Sequence, residues 1–316
     1  MTNHFTGVQV VEDVDPELVD AAYDGGKLNV EQIPSTPFRP YPNSFVVLKG
    51  GGRSALCRVE PDGKTFRLIR TDLINASGIR PKNKEQAMLL STLLDDRVLV
   101  QVITGKAGTG KTLLALATAM QKIDEGVYDK IILTRPMSQV GKYELGILPG
   151  NVEEKFAPFL INYASNFEQI VDPKSIRKAE RQKTKGVGEQ PQDPHGLSGL
   201  MRHLMQFYKI EIIPFQLIRG ASLKNAFVIA DEVQVVSKGE MLTLGTRIAE
   251  GSKLVIMGDL AQRDEKIRRT DTGLYKTTND ERMLTSGLVS YIELRKVERG
   301  PVADLFGRVF EEDEQN

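Results

Sequence analysis

Gly105-Lys106-Ala107-Gly108-Thr109-Gly110-Lys111-Thr112 follows the pattern G-x-x-x-x-G-K-[ST], and it restricts the fold of this chain more than any other stretch. Backbone N–H groups of such a loop cradle the phosphates of a nucleotide. The lysine, here Lys111, reaches the β- and γ-phosphates, and the hydroxyl of Thr112 ligates Mg²⁺. A glycine-rich turn can match the pattern by chance, so the flanks decide. Residues 98–103 are apolar and β-branched and have the length of a strand, whereas 111–125, rich in Ala, Leu and Met, read as a helix. Strand, turn and helix in that order place the positive end of the helix at the phosphates. The site expected from Gly105 to Thr112 is therefore a phosphate cradle for a nucleoside triphosphate with Mg²⁺.

Beyond residue 78, apolar runs at 98–103, 130–134, 210–213, 226–230, 253–257 and 291–294 alternate with helical segments such as 84–94. That alternation predicts an α/β domain with a mainly parallel sheet flanked by helices. Residues 1–75 read differently. A short helix at 15–23 ends at Gly25-Gly26, and a connector carries Pro34, Pro37, Pro40 and Pro42. Strand-like runs at 45–49, 54–60 and 65–70 follow, separated by Gly50-Gly51-Gly52 and Pro61-Asp62-Gly63-Lys64, which predicts a small antiparallel β module. Its Phe45 and Phe66 are expected in the core. The division expected is an N-terminal module over 1–75 and a nucleotide-binding domain over 76–316. A flexible insertion near 172–199 carries Lys174, Arg177, Lys178, Arg181, Lys183 and Lys185. That stretch reads equally as a solvated loop or as part of a nucleic-acid groove.

Charge does not choose between partners: Lys+Arg and Asp+Glu are both 42, so nucleic-acid binding would need local basic patches. No run approaches the roughly 18–20 apolar residues of a membrane span. Met1-Thr2-Asn3-His4-Phe5 lacks the basic start and apolar run of a secretion signal. The single cysteine, Cys57, forms no internal disulfide, so a reducing, cytoplasmic setting without membrane is expected. Three His and one Cys make a poor zinc site.

A triphosphate loop needs a carboxylate to help hold Mg²⁺, and hydrolysis needs a group that orients water. Residues 227–230 form an apolar strand ending in Asp231-Glu232. Asp231 is the expected Mg²⁺ partner and Glu232 the expected base. A further strand ends in Met257-Gly258-Asp259-Leu260-Ala261-Gln262. Ligands of parallel sheets bind outside the carboxyl ends of the strands, so Gln262 is placed to sense the γ-phosphate or the attacking water. Taken alone, the same run is also a turn capped by Asp259.

The order and content of several segments resemble PhoH-like ATPases, a branch close to superfamily 1 helicases. These segments are Gly78-Ile79-Arg80-Pro81-Lys82-Asn83-Lys84-Glu85-Gln86, the phosphate loop, Thr134-Arg135-Pro136, Gly146-Ile147-Leu148-Pro149-Gly150, Ile218-Arg219-Gly220, Asp231-Glu232-Val233-Gln234 and Gly258-Asp259-Leu260-Ala261-Gln262. The resemblance covers about 78–312. It implies a RecA-like P-loop NTPase fold and ATP as the nucleotide, with Gln86 matching the glutamine that reads the adenine edge. Arg299, in Val297-Glu298-Arg299-Gly300, matches a late arginine that contacts the γ-phosphate. Arg247, in Thr246-Arg247-Ile248, is a candidate finger for a neighbour's ATP. Either arginine also suits a surface salt bridge. Thr134, Arg135, Lys142 and Arg219 lie in motifs that resemble backbone-contacting motifs of helicases, and intramolecular pairing is their alternative. The family form Asp-Glu-Ala-Gln-Asn departs here to Asp231-Glu232-Val233-Gln234-Val235, which puts any contact of the usual Asn in doubt. Residues 16–68 resemble the connector that precedes the ATPase in PhoH proteins with a PIN nuclease domain, and no PIN domain is expected in this chain.

Superfamily 1 helicases close ATP between two motor lobes, but only one phosphate loop occurs here, and only one Asp-Glu pair, Asp231-Glu232, ends an apolar strand-like run. A second copy joined head to tail supplies a missing half-site, and a closing rotation makes a ring. The expectation is a homo-oligomer, with a hexameric ring favoured, that hydrolyses ATP while moving on or remodelling single-stranded RNA or DNA. An ATP-gated regulatory or assembly protein that does not translocate is the main alternative. A kinase is disfavoured by Glu232 and Gln262 and by the lack of a recognisable acceptor pocket.

Overall fold

Strands β9 (Ala226–Ala230) and β10 (Lys253–Gly258) are buried along their whole length, as their near-continuous apolar runs require of strands covered on both faces. They sit at the centre of a six-stranded sheet with β6 (Val100–Gly105), β7 (Lys130–Thr134), β8 (Glu211–Ile212) and β11 (Val289–Leu294). The order is β11-β6-β10-β9-β7-β8, and every pairing is parallel. This is a RecA-like arrangement. The computed structural model describes residues 5–25, 27–33, 39–136, 163–171, 199–262 and 268–298, together with positions 302, 305 and 309.

One face of the sheet presents Ile103, Leu133, Ile229, Met257 and Ile292 to α2 (Lys84–Leu93) and α3 (Lys111–Asp124). The other presents Val102, Val228, Ile256 and Tyr291 to the helices Lys238–Arg247 and Gly273–Asn279 through Met241, Leu244 and Leu274. Each such aliphatic side chain contributes about 1.5–3 kcal/mol when withdrawn from water. Asn83 caps the start of α2 by accepting from Gln86 N at 2.9 Å. The other end of α2 is capped by Lys253, which is fully buried. Its ammonium donates to the carbonyls of Thr92 (2.9 Å), Leu93 (2.6 Å) and Asp95 (2.9 Å). Burial pushes this lysine down to about 7, whereas three simultaneous donations need the full ammonium.

The N-terminal sheet has the order β1-β3-β4-β5-β2, from β1 (Val8–Val11), β2 (Leu28–Asn29), β3 (Phe45–Gly50), β4 (Arg53–Val59) and β5 (Thr65–Leu68). It is antiparallel from β3 through β2, as the turn signals predict. Gly51 and Gly52, with φ of 56° and 74°, close the β3–β4 hairpin in the left-handed region that a two-residue turn needs. Nothing in the sequence marked β1, an edge strand that adds to β3 in parallel. Helix α1 (Pro16–Tyr23) covers the sheet, with Asp15 capping it and Val19 and Ala22 buried.

This module is joined to the six-stranded sheet by shared core and by buried polar contacts. Phe66 packs within the module, but Phe45, Leu56 and Ile69 belong to the same apolar cluster as α2. The Asn43 amide donates to the carbonyls of Gly287 (2.8 Å) and Val289 (3.2 Å), and its Oδ1 accepts from Arg58 at 2.6 Å. Arg58 also pairs with Asp95 at 2.8 Å. Among the described residues no helix is long and apolar enough to cross a membrane.

Candidate active site

The phosphate loop leaves β6 at Gly105 and enters α3 at Lys111. Gly105, with φ of 144°, passes so close to β11 that a Cβ would lie 2.2 Å from the Leu294 carbonyl oxygen. Only glycine fits there. Gly110 caps α3 with φ of 91°, and a Cβ on it would lie 2.9 Å from Gln86 Nε2. The N–H groups at the start of α3 thus open toward the loop without a side chain between them. The Lys111 ammonium folds over the loop and donates to the carbonyls of Gly105 and, at 2.8 Å, Lys106.

Two neighbouring elements hold the loop from outside. Gln86, buried at the start of α2, accepts from Lys82 N at 2.8 Å and donates to the Thr109 carbonyl at 3.0 Å. The segment after β11 lies against the same place: Glu298 N donates to the Gly108 carbonyl at 3.0 Å. The Glu298 carboxylate accepts from Asn83 at 2.7 Å. Glu85 accepts from the backbone N–H groups of Arg295 (2.8 Å) and Lys296 (3.0 Å).

Because β10 separates β6 from β9, the acids after β9 stand two strands away from the phosphate loop, across the loop that follows β10. Asp231 is largely buried, and its backbone N–H donates to the Thr134 carbonyl at 2.9 Å. Burial and the neighbouring Glu232 charge raise its carboxyl above the usual value, opposed by Arg135, the Glu232 N–H and Lys111. Glu232 adopts φ of 56°, an unusual conformation for a non-glycine residue, and turns its side chain away from the helical path. Its Oε2 accepts from Gln234 Nε2 at 2.6 Å, and Arg135 lies 3.8 Å from its Oε1. Gln234 reaches onward to accept from Asp259 N at 3.3 Å, so one glutamine bridges the loops after β9 and β10. Asp259 caps its own turn by accepting from Ala261 N at 3.0 Å, and Gln262 is exposed at the end of that turn. Lys106, Asp259, Arg269, Glu293 and Arg295 border a cleft of about 610 Å³ over the carboxyl ends of β6, β10 and β11.

Thr112 and Asp231 offer hard oxygen donors beside the phosphate cradle, the chemistry Mg²⁺ selects. Among the described residues no cluster of three or more His, Cys, Asp and Glu side chains is built to hold a metal alone.

Some expected residues fall elsewhere. Thr134 is 1% exposed, and its hydroxyl is buried without a hydrogen-bond partner among the described residues. The residue closes the end of β7 beside Asp231. Arg135 is partly exposed and Arg219 is exposed on the 3₁₀ segment Phe215–Gly220. Arg247 ends its helix, and its carbonyl accepts from Leu223 N at 2.9 Å, near the amino ends of β9 and β10. It is thus at the opposite end of the sheet from its own phosphate loop. Lys142, Arg299, the motif at 146–150 and the basic stretch 174–185 lie outside the described residues. Tyr163, Gln234 and Glu298 touch the site without having been singled out as site residues. Gln234 had a signal, its place in the Asp-Glu motif, whereas Tyr163 had none.

A parallel sheet with a phosphate loop after one strand and an Asp-Glu pair two strands away defines a P-loop ATPase fold. The family model described as PhoH-like protein matches residues 78–311, and the chain belongs to that family. It is 33% identical over 297 residues to Protein PhoH2 of Bacillus subtilis (strain 168), covering 92% of this chain and 61% of that protein. With Protein PhoH2 of Mycolicibacterium smegmatis it is 29% identical over 302 residues, covering 95% of this chain and 61% of the relative. The chain thus spans about three-fifths of the length of these relatives. Among solved structures, Pif1 helicase from Candida albicans aligns over 74% of this chain and 44% of its own, at 17% identity and a TM-score of 0.32.

Proposed function

We propose that this chain is a Mg²⁺-dependent ATP hydrolase that works as an oligomeric motor on single-stranded nucleic acid. The observation that carries the reading is the convergence of Lys111, Asp231, Glu232 and Arg135 at the carboxyl ends of β6, β9 and β7. The loop N–H groups and Lys111 bind the β- and γ-phosphates. Thr112 and Asp231 would hold Mg²⁺, which supplies charge neutralisation on the phosphates. Glu232 orients the attacking water and takes its proton. Gln262 senses the γ-phosphate. An arginine completes the site by stabilising charge on the transferred phosphoryl group, either Arg299 or Arg247. The position of Arg247, at the far end of its own sheet, favours action on a neighbouring copy in a head-to-tail ring, with a hexamer favoured.

Arg135 supports the nucleic-acid part. It stands at the mouth of the site and beside the candidate base. A nucleic-acid phosphate drawn to Arg135 alters the field at Glu232, which gives a direct path from strand binding to hydrolysis. ATP turnover measured with and without single-stranded RNA and DNA, at low and moderate salt, tests the reading. Stimulation that weakens with salt is expected. Turnover that ignores both polymers, with no binding at low salt, would leave the ATP-gated regulatory or assembly protein instead.

A further inference from the structure

Tyr163 lies in a helical stretch described over 163–170, which belongs to none of the motifs of the site. Its ring is 3% exposed and packs in the cluster that holds Leu133, Phe167 and Ile229. Its hydroxyl donates to Asp231 Oδ2 at 3.3 Å. The other oxygen, Oδ1, accepts from Glu232 N at 2.9 Å. The carboxylate is therefore gripped at both oxygens by donors from two elements. Each oxygen keeps a second lone pair for another partner.

We propose that Tyr163 is a positioning residue for the metal side of the ATP site. Its hydroxyl fixes the rotation of the Asp231 carboxylate, so that the carboxylate meets Mg²⁺-nucleotide without first being ordered. The proposal rests on the reading that Asp231 serves Mg²⁺. A carboxylate gripped at one oxygen only swings about its Cβ–Cγ bond, and ordering it again costs affinity each time the ion arrives. Partners that orient a metal-side ligand are worth about 10–100-fold in metal affinity or activity. A neutral donor at 3.3 Å belongs at the lower end of that range. The interaction also ties the stretch 163–170, which lies between β7 and β8, to the ion rather than to the nucleotide's base or sugar.

The test is a Mg²⁺ titration of fluorescent ATP-analogue binding to the full chain, for the wild type, Tyr163→Phe and Asp231→Asn. Phenylalanine keeps the ring in the core and removes only the hydroxyl. The ratio of affinities with and without Mg²⁺ is internal to each variant, so a smaller folded fraction lowers the amplitude without moving that ratio. Paramagnetic Mn²⁺ binding in the presence of nucleotide gives a second readout that needs no turnover. The expected result is about a tenfold rise in the Mg²⁺ concentration for half-effect in Tyr163→Phe, with metal-free nucleotide affinity unchanged, and a larger rise in Asp231→Asn. A Tyr163→Phe titration that overlays the wild type while Asp231→Asn shifts would overturn the positioning role alone. Wild-type titrations in both variants would overturn the assignment of Asp231 to the metal, and the tyrosine's role with it.

Discussion

The guanidinium of Arg135 lies 3.8 Å from the carboxylate of Glu232, joining the end of β7 to the proposed base. Both side chains are partly exposed, so the pair adds little to stability. Its consequence is for coupling. Arg135→Ala is expected to leave turnover without nucleic acid within about threefold of the wild type, because Glu232 keeps Gln234. Stimulation by single-stranded RNA should fall about tenfold, since the phosphate-binding group and the path to the base are lost together. Turnover measured against RNA concentration checks this, and undiminished stimulation would remove Arg135 from the coupling.

Glu232→Gln separates binding from hydrolysis. The amide keeps the size of the side chain but takes no proton from water. Nucleotide affinity should stay within about threefold while turnover falls about 10²–10⁴-fold, the usual contribution of a positioned base. Equilibrium binding of a fluorescent ATP analogue beside phosphate release reads both quantities. Near-normal turnover would show that another group orients the water.

Gln86 is held at both ends of its carboxamide by backbone, at Lys82 N and the Thr109 carbonyl. That geometry makes it a tie on the phosphate loop. Gln86→Ala is therefore expected to weaken ATP and GTP alike, by about tenfold for the loss of two buried hydrogen bonds. Competition binding with both nucleotides decides the matter. A loss confined to ATP would instead favour the adenine-reading role implied by the family resemblance.

Lys253→Met keeps the aliphatic stem in its buried channel and removes the ammonium. The carbonyls of Thr92, Leu93 and Asp95 then lose their donor at the end of α2. The expected cost is about 3 kcal/mol, read as a lower midpoint in urea with an unchanged slope. A shift smaller than about 0.5 kcal/mol would mean that water replaces the cap.

The joint between the two sheets should be acid-sensitive. Burial alone would raise the Asp95 carboxyl, but hydrogen bonds from Arg97 and the charge of Arg58 outweigh it and hold it well below the usual carboxylate range. A folded value below the unfolded one, about 3.9, means that the contribution is complete above that pH and is lost as pH falls through the folded value. Asp95→Asn should therefore cost about 3 kcal/mol at pH 7, because Arg58 is left buried without its partner. The cost should shrink by pH 3. Urea unfolding at both pH values checks it, and an equal cost at both would exclude the ionised pair as its source.

The parts of the site that were legible in the sequence are those where chemistry leaves few substitutes. Gly105 is forced by the approach of the Leu294 carbonyl and Gly110 by its φ of 91°, and Asp231-Glu232 ends an unbroken apolar strand. The central strands were legible because burial on both faces demands apolar runs. Edges were less so: β1 is half exposed, and β8 reduces to Glu211–Ile212 within a longer apolar run. Asn43, just after the proline-rich connector, was not singled out, yet it is fully buried at the joint between the sheets. Tyr163 was illegible for a different reason. A tyrosine on an apolar helical face looks like core, and only the fold brings its hydroxyl to Asp231.

The central claim is that the phosphate loop and the acids after β9 form one ATP-hydrolysing site, and phosphate release from Mg²⁺-ATP by the wild type and Lys111→Ala tests it most directly. On the proposed reading Lys111, whose ammonium lies over the loop at the Gly105 and Lys106 carbonyls, reaches the transferred phosphate. The account predicts steady turnover by the wild type and a loss of about a hundredfold or more in Lys111→Ala, of the size seen when a charge-stabilising donor is removed. A Lys111→Ala chain that releases phosphate at the wild-type rate would contradict it.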